Sequence, residues 1–358
     1  MGDGDRGRHH RTFGNRLHRA IHVRAAVVSR VFVTGGTGVI GTALVARLLA
    51  RGDEVVALAR SEPAGTALRS RGASSVVFGH ALDEDALVSG MDGCPLAFNL
   101  AGINSLCVQD PGPMQALNVD GPVVAVRAAK RAGVPRLVHT SSAATIGEAP
   151  GTVGSERTPH RGWYLSTYER TKTEGERAAF AAAGELGQDL VCVNPSSVQG
   201  PGRAGGTARF LLALLDGRLK VFVSTNLSLV DIADCVEGHL LAAERGASGQ
   251  RYLLSGIMLT IGEALALAAE VAGARRKPRL LPRPVAAVAA TIVEQSFRLA
   301  RRHPPVCREM VRTLLHGHRY DGSRAERELG LRYTDPRETL RRTVEWARSE
   351  GLLRAVRT

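Results

Sequence analysis

Apolar and polar positions alternate in short blocks through the first two-thirds of the chain. Val27-Val-Ser-Arg-Val-Phe-Val33 reads as an apolar strand. A glycine-rich stretch, Thr34 to Gly41, follows it. Thr42 to Arg51 then has helical spacing, with Gly52 placed to end it. Glu54 to Ala59, Ser75 to Phe78 and Leu96 to Leu100 read as the next three strands. A helix over about Gly121 to Ala132 precedes a fifth strand, Leu137 to Thr140. Ser166 to Gly184 has helical spacing, and Leu190 to Val193 is a sixth strand running into Asn194-Pro195. Strands alternating with helical segments of about 10–15 residues imply βαβ units and a parallel sheet.

After about Pro201 the rhythm becomes irregular. Arg251 to Leu254 reads as one more strand, Arg275 to Pro284 as a Pro/Arg-rich linker, and Pro336 to Glu350 as a last helix. The apolar run Pro284 to Val293 is too short to span a bilayer, which needs ~18 residues or more, and reads as an amphipathic helix over the substrate region. The expected fold is α/β, a doubly wound parallel sheet (Rossmann fold) with a smaller C-terminal substrate-binding region. The expected division is a basic, disordered tail over 1–27, a nucleotide domain over 28–200 to which 229–254 returns, and a substrate region over 201–358.

Composition changes this picture little. The chain has 358 residues, 44% hydrophobic and 23% charged, enough for a large core. Its formal charge is +13, but the cations are almost all arginine: lysine occurs only at Lys130, Lys172, Lys220 and Lys277. With 4% aromatics and no groove-binding motif, the charge is not evidence for nucleic acid. Residues 1–27 mix six arginines with His9, His10, His18 and His22 and lack the apolar core of a secretory signal. Cys94, Cys107, Cys192, Cys235 and Cys307 lie far apart and show neither zinc nor redox spacing, so reduced thiols in a cytoplasmic protein are expected. No metal is expected, and a homodimer is left open.

The chemistry lies in three places. Thr34-Gly35-Gly36-Thr37-Gly38-Val39-Ile40-Gly41 sits between a strand and a helix. There glycines let the backbone approach a pyrophosphate, and free N–H groups at the helix start bind it. The second strand ends at Arg60 rather than at an acid, which favours the 2′-phosphate of NADP, with NAD as the alternative. Tyr168 and Lys172 lie four apart in a helical stretch and share a face. Five Tyr and four Lys would give roughly 0.06 such pairs by chance at this spacing. A phenol near an ammonium can exchange a proton with a carbonyl oxygen as hydride moves. Ser141 and Ser142, at the end of the fifth strand, lie where a parallel sheet binds ligands.

Together these residues resemble the extended short-chain dehydrogenases/reductases, from Val31 to Leu353. Asn99-Leu100-Ala101-Gly102, Asn118-Val119, Ser141-Ser142-Ala143 and Asn194-Pro195-Ser196-Ser197-Val198-Gln199-Gly200-Pro201-Gly202 also carry the resemblance. Within that family the chain looks most like dihydroflavonol 4-reductase-like and 3β-hydroxysteroid dehydrogenase-like proteins and the NAD-dependent epimerase/dehydratases. Val230-Asp231-Ile-Ala-Asp234-Cys-Val-Glu-Gly-His239 and Tyr320-Asp321-Gly-Ser-Arg-Ala-Glu-Arg-Glu-Leu329-Gly330 carry that similarity.

The resemblance implies a triad of Ser142, Tyr168 and Lys172. Ser142 is preferred to Ser141 because it lies five residues before Gly147. Cofactor contacts are implied at Gly35, Gly38, Val39, Ile40, Gly41, Arg60, Ala101, Tyr168, Lys172, Pro195 and Val198. The family's usual adenine-contacting Asp is absent at Gly79-His80-Ala81, and Asp83 is the nearby substitute. The expected activity is hydride transfer between NAD(P) and a ketone or secondary alcohol of a small molecule. A nucleoside-diphosphate-sugar epimerase is the alternative. Dehydratases carry acids after the serine motif, where this chain has Ala143-Ala144.

Overall fold

A computed structural model describes Met1 and residues 29–353 other than 207, 274–277, 301 and 303–305. The expected basic tail, and the first two residues of the expected first strand, lie outside the described residues. The strands are β1 (Arg30–Thr34), β2 (Glu54–Ala59), β3 (Ser75–Phe78), β4 (Leu96–Asn99), β5 (Arg136–Thr140), β6 (Asp189–Pro195), β7 (Ser197–Gln199), β8 (Val221–Val223), β9 (Asn226–Asp231), β10 (Arg251–Leu254), β11 (Ile257–Thr260) and β12 (Arg279–Leu281). The helices are α1 (Val39–Ala50), α2 (Glu62–Ser70), α3 (Glu84–Met91), α4 (Gly112–Gln115), α5 (Gly121–Arg131), α6 (Thr167–Leu186), α7 (Ala208–Leu215), α8 (Ile232–Arg245), α9 (Ile261–Ala272), α10 (Arg283–Leu299), α11 (Arg308–His316) and α12 (Pro336–Ser349).

Seven strands form one parallel sheet in the order β10-β6-β5-β4-β1-β2-β3. This is a doubly wound Rossmann-like sheet. Side-chain alternation along each strand feeds both faces. Val31 and Val33 pack with Leu44, Leu48 and Leu240 of α1 and α8 on one face. Phe32, Val56 and Leu58 pack with Leu87, Val126 and Ala179 of α3, α5 and α6 on the other. The strand order reverses between β1 and β4, so a crevice opens beyond their C-terminal ends, where such sheets bind ligands.

The chain after β6 does two things. It adds β10 to the edge of the main sheet. It also builds a three-stranded sheet, β11-β9-β7, and a pair, β12-β8. The expected linker over 275–284 is therefore corrected: Arg279, Leu280 and Leu281 pair in parallel with Val221, Phe222 and Val223. Three apolar-to-mixed residues beside prolines carry no periodicity, and only the partner strand makes them extended. The two Asp motifs near 231 hold this region together. Asp231 caps α8 through the Ala233 N–H and receives Arg342 of α12 at 2.7 Å, while Asp234 accepts from Thr334 N–H and hydroxyl.

The expectation of five reduced cysteines is also corrected. Cys107 and Cys307 form a disulfide, their Cα atoms 5.7 Å apart, while Cys94, Cys192 and Cys235 are free and buried. The pair lies 200 residues apart in sequence, so no spacing could reveal it.

Helix α6 packs unusually close to the π-helical turn Ala116–Asp120. A Cβ on Gly175 would stand 1.9 Å from the Asn118 carbonyl oxygen. Gly175→Ala must push α6 away from that turn, and overpacking of this kind costs about 1–3 kcal/mol. Denaturant unfolding is expected to show that loss, with cofactor affinity falling alongside it. Unchanged stability in Gly175→Ala would mean that the turn yields freely.

Candidate functional site

The glycine loop leaves β1 at the crevice. Gly35 has φ +69°, and a Cβ there would meet the Leu100 carbonyl carbon at 2.8 Å and the Ala101 nitrogen at 2.9 Å. A Cβ on Gly41 would stand 2.1 Å from the Gly35 carbonyl oxygen. Both positions need glycine because backbone crosses backbone there. Gly38 begins α1 without any side-chain cap, and Val39 is exposed beside it. The first N–H groups of a helix lack intrahelical acceptors, and here no side chain of the loop covers them. Anion binding at this terminus, and hence the pyrophosphate of a dinucleotide, fits the loop.

Thr34 ties the loop to the end of β4. Its hydroxyl donates to Asn99 Oδ1 at 2.7 Å and accepts from the Leu100 and Ala101 N–H groups, each at 3.1 Å. Asn99 Nδ2 reaches His139 Nδ1 at 3.2 Å. Burial, and then the Lys172 charge, hold His139 well below its ordinary pKa. It is therefore a neutral acceptor. Ala101 stands directly at the glycine loop. Arg60 is exposed at the end of β2. Pro195 and Val198 are buried at the ends of β6 and in β7. Asp83, the substitute for the missing adenine contact, caps α3 through the Ala86 N–H at 3.1 Å, so that carboxylate oxygen already has a structural duty.

The candidate proton-transfer pair, Tyr168 and Lys172, sits on α6. Ser166 caps this helix by accepting from Glu169 N–H at 3.1 Å. The buried Glu169 accepts from Leu165 N–H and pairs with Arg161. From the far end of the chain, Glu309 accepts from the Thr167 N–H and hydroxyl at 2.9 and 2.7 Å, and Arg312 donates to the Leu165 carbonyl. Four side chains thus fix the turn that carries Tyr168.

Tyr168 lies near enough to Ser142 for the serine hydroxyl to favour its phenolate. Ser142 Oγ also accepts from Ala144 N–H at 3.2 Å, whereas Ser141 Oγ is buried with no partner. One turn along α6, Lys172 Nζ donates to the Thr140 carbonyl at 2.9 Å. Burial pushes the Lys172 ammonium down from 10.5 to about 8, and the Glu176 carboxylate opposes that shift. Glu176 is itself held by Thr145, Asn194 and Arg251. Burial raises the Tyr168 pKa, while the Ser142 hydroxyl and the Arg203 charge oppose it.

A family model described as the NAD dependent epimerase/dehydratase family matches residues 31–255. The chain belongs to that family. It is 34% identical over 333 residues to the Sterol demethylase protein B of Methylococcus capsulatus, covering 90% of this chain and 99% of the relative. It is 32% identical over 338 residues to a putative dihydroflavonol 4-reductase of Synechocystis, covering 92% and 97%. Among solved structures it is similar to MoeE5 in complex with UDP-glucuronic acid and NAD, at 25% identity and a TM-score of 0.70, covering 90% of this chain and 99% of that one. Among the described residues no helix is long and apolar enough to cross a membrane.

The roles of three further features are visible only in the fold. Arg203, half-buried just after Gly202, lies near enough to Tyr168 for its charge to act on the phenol. Only its position after the Pro201-Gly202 turn could have signalled it. His239 of α8 receives the Thr140 hydroxyl at 2.9 Å on Nε2 and donates from Nδ1 to the Cys235 carbonyl at 2.7 Å. It braces the strand end that holds Lys172. A cavity of about 400 Å³ between α10, α11 and the residues before α6 is lined by Trp163, Leu165, Ala290, Val311 and His316, with Arg308 and Arg312 among its walls.

His239 generates a pH prediction. Burial holds it at about 4 instead of its ordinary 6.5. Between those values the unfolded chain binds a proton that the folded chain refuses, so this contribution is complete above about pH 6.5 and is lost as pH falls toward 4. His139 acts in the same direction. The melting temperature is expected to fall through that window, and His239→Gln should flatten the fall. An identical slope in the variant would remove His239 from the account.

Proposed function

We propose that this protein is an NAD(P)-dependent reductase/dehydrogenase that interconverts a ketone and a secondary alcohol, with Tyr168 as the general acid/base. The observation that carries this reading is Lys172, one turn along α6 from Tyr168 and tied to the end of β5, with the Ser142 hydroxyl near enough to act on the phenol. A bound nicotinamide supplies or accepts the hydride. The chain's own groups handle the oxygen. Ser142 orients the substrate oxygen, and Tyr168 gives it a proton in reduction or removes one in oxidation. Arg203 places positive charge near the phenol and favours its phenolate, while Lys172 stands one turn along the same helix. With its pKa raised above the ordinary value, the half-buried Tyr168 is a phenol at neutral pH, the form that reduction needs. Gly35, Gly38, Val39, Ile40, Gly41 and Ala101 are the proposed pyrophosphate and ribose contacts, with Pro195 and Val198 beside the nicotinamide. The proposed domain division is a nucleotide domain over 28–200 with 229–254 added, and a substrate region over most of 201–358.

The relatives' names, a sterol demethylase protein and a dihydroflavonol reductase, and the mostly apolar cavity beside α6 support a largely apolar ring ketone or alcohol as substrate. An epimerase is the second reading, favoured by the family description and the sugar-nucleotide complex of MoeE5. Ala143 and Ala144, in the 3₁₀ turn after Ser142, offer no acid for dehydration.

The variant series that tests the chemistry is Tyr168→Phe, Lys172→Ala, Ser142→Ala and Ser141→Ala. Tyr168→Phe is expected to cut kcat at least about a hundredfold with cofactor affinity kept. Lys172→Ala should damage both. Ser142→Ala should cost roughly tenfold, the worth of one hydrogen bond, and Ser141→Ala least. Near-native turnover in Tyr168→Phe would sink the mechanism.

Arg60 tests the cofactor. Its place at the end of β2 favours a 2′-phosphate, so Arg60→Ala should weaken NADPH binding more than NADH binding in a fluorescence titration. Equal losses would show that Arg60 does not discriminate.

A further inference from the structure

Outside the proton-transfer site, Glu148, His316 and His318 converge. Glu148 directly follows Gly147, the left-handed residue that ends the 3₁₀ turn after Ser142. The histidines come from the end of α11 and the segment after it. Glu148 Oε1 stands 3.2 Å from His316 Nε2 and 2.6 Å from His318 Nδ1. Each of the three residues offers one ligand atom, and these atoms all lie within 4.8 Å of one another. The side chain of Glu148 is 1% exposed and that of His316 3%. The second carboxylate oxygen, Oε2, is buried without a hydrogen-bond partner. A hydrogen-bonded trio alone leaves that oxygen unused, and an acceptor buried without a partner is costly.

The surroundings fix these groups. The His318 ring stacks on Tyr320 at an interplanar angle of 18°, and the Tyr320 hydroxyl lies 2.8 Å from His318 Nδ1. Trp163 meets the His316 ring edge-on. The Gly154 N–H donates to the Arg319 carbonyl, and Asp321 N–H donates to the Gly154 carbonyl, so the two segments are laced together by backbone. A Cβ on Gly154 would approach Glu148 Cβ to 3.0 Å.

We propose that Glu148, His316 and His318 form a binding site for a divalent transition cation of the zinc class. Two imidazole nitrogens and one carboxylate make a common zinc ligand set, and three protein ligands leave a fourth position for an oxygen. Tetrahedral bonds of about 2.0–2.2 Å put ligand atoms about 3.3–3.6 Å apart, so atoms now within 4.8 Å of one another reach that spacing by side-chain shifts of roughly an ångström, the widest pair closing and the Glu148–His318 contact opening. The cation neutralises the buried carboxylate and engages Oε2. It joins the turn after Ser142 to the C-terminal segment. His316 also lines the 400 Å³ cavity, so the fourth position is reachable from the substrate side, by water or by a substrate oxygen. The proposal does not depend on the reading of Tyr168.

The test uses the full chain without an affinity tag, stripped with a chelator and titrated with Zn²⁺ and with Co²⁺. One cation per chain is expected at this site. Zinc should raise the melting temperature by several degrees, and cobalt should give the strong visible bands of four-coordinate nitrogen and oxygen ligation. His316→Asn and His318→Asn should weaken uptake by about a hundredfold or more, with circular dichroism reporting their folding. His9, His10, His18 and His22 offer a competing explanation, and the variants separate the two. Uptake and stabilisation undiminished in both variants would assign the metal to those histidines and overturn the site. Absence of zinc stabilisation and of cobalt bands in the native chain would overturn it without any variant.

Discussion

The docking of α6 across the end of β5 is the constraint on which the rest of the site depends. The Lys172 ammonium bonds to the Thr140 carbonyl, and the bare face of Gly175 lets the helix sit against the Asn118 backbone. Those two contacts set both the height and the depth of the helix on the sheet. Tyr168 then stands near Ser142 because the two elements are fixed, and neither side chain alone could bring that about. The ammonium has few acceptors once it is buried, so a carbonyl left free at the end of a parallel strand is a natural partner for it.

Electrostatics at this position is a balance between burial and charge. Burial works against every ionised form, lowering Lys172 and raising Tyr168. Glu176 answers for the lysine, and Ser142 and Arg203 answer for the tyrosine. Glu176 can do so only because Thr145, Asn194 and Arg251 hold its two oxygens. The Asn194-Pro195 stretch is thus more than a strand end, since its amide orients the carboxylate whose charge acts on Lys172. His139 and His239 are kept neutral on the other side and add no competing cation.

The main sheet was legible in the chain because its strands are short apolar runs separated by helical periods. Glu54–Ala59, Ser75–Phe78 and Arg251–Leu254 have the bounds that the pattern implied. The glycine loop and the Tyr168/Lys172 spacing were legible because local geometry alone constrains them: backbone crossings need glycine, and one helical face needs a spacing of four. β12, Arg203 and the Cys107–Cys307 bridge were not. Each depends on a partner far away in sequence, and none has a local spacing that differs from an ordinary loop. Even the two Asp motifs near 231 were legible only as resemblance, while their work as helix cap and tether appears only when α12 is in place.

The C-terminal third is therefore best understood as the part that aims the site. Glu309 and Arg312 complete the first turn of α6, where Tyr168 lies. The disulfide joins the loop after β4, which follows the cofactor crevice, to the start of the same α11. His316 and His318 carry the end of α11 onto Glu148, just beyond the serine turn. One helix of nine residues, Arg308–His316, thus touches the helix of the tyrosine, the loop beside the cofactor crevice and the turn after the serine. A change in the cavity between α10 and α11 can leave the Rossmann sheet untouched and still move Tyr168, because the same helix that walls the cavity also caps α6.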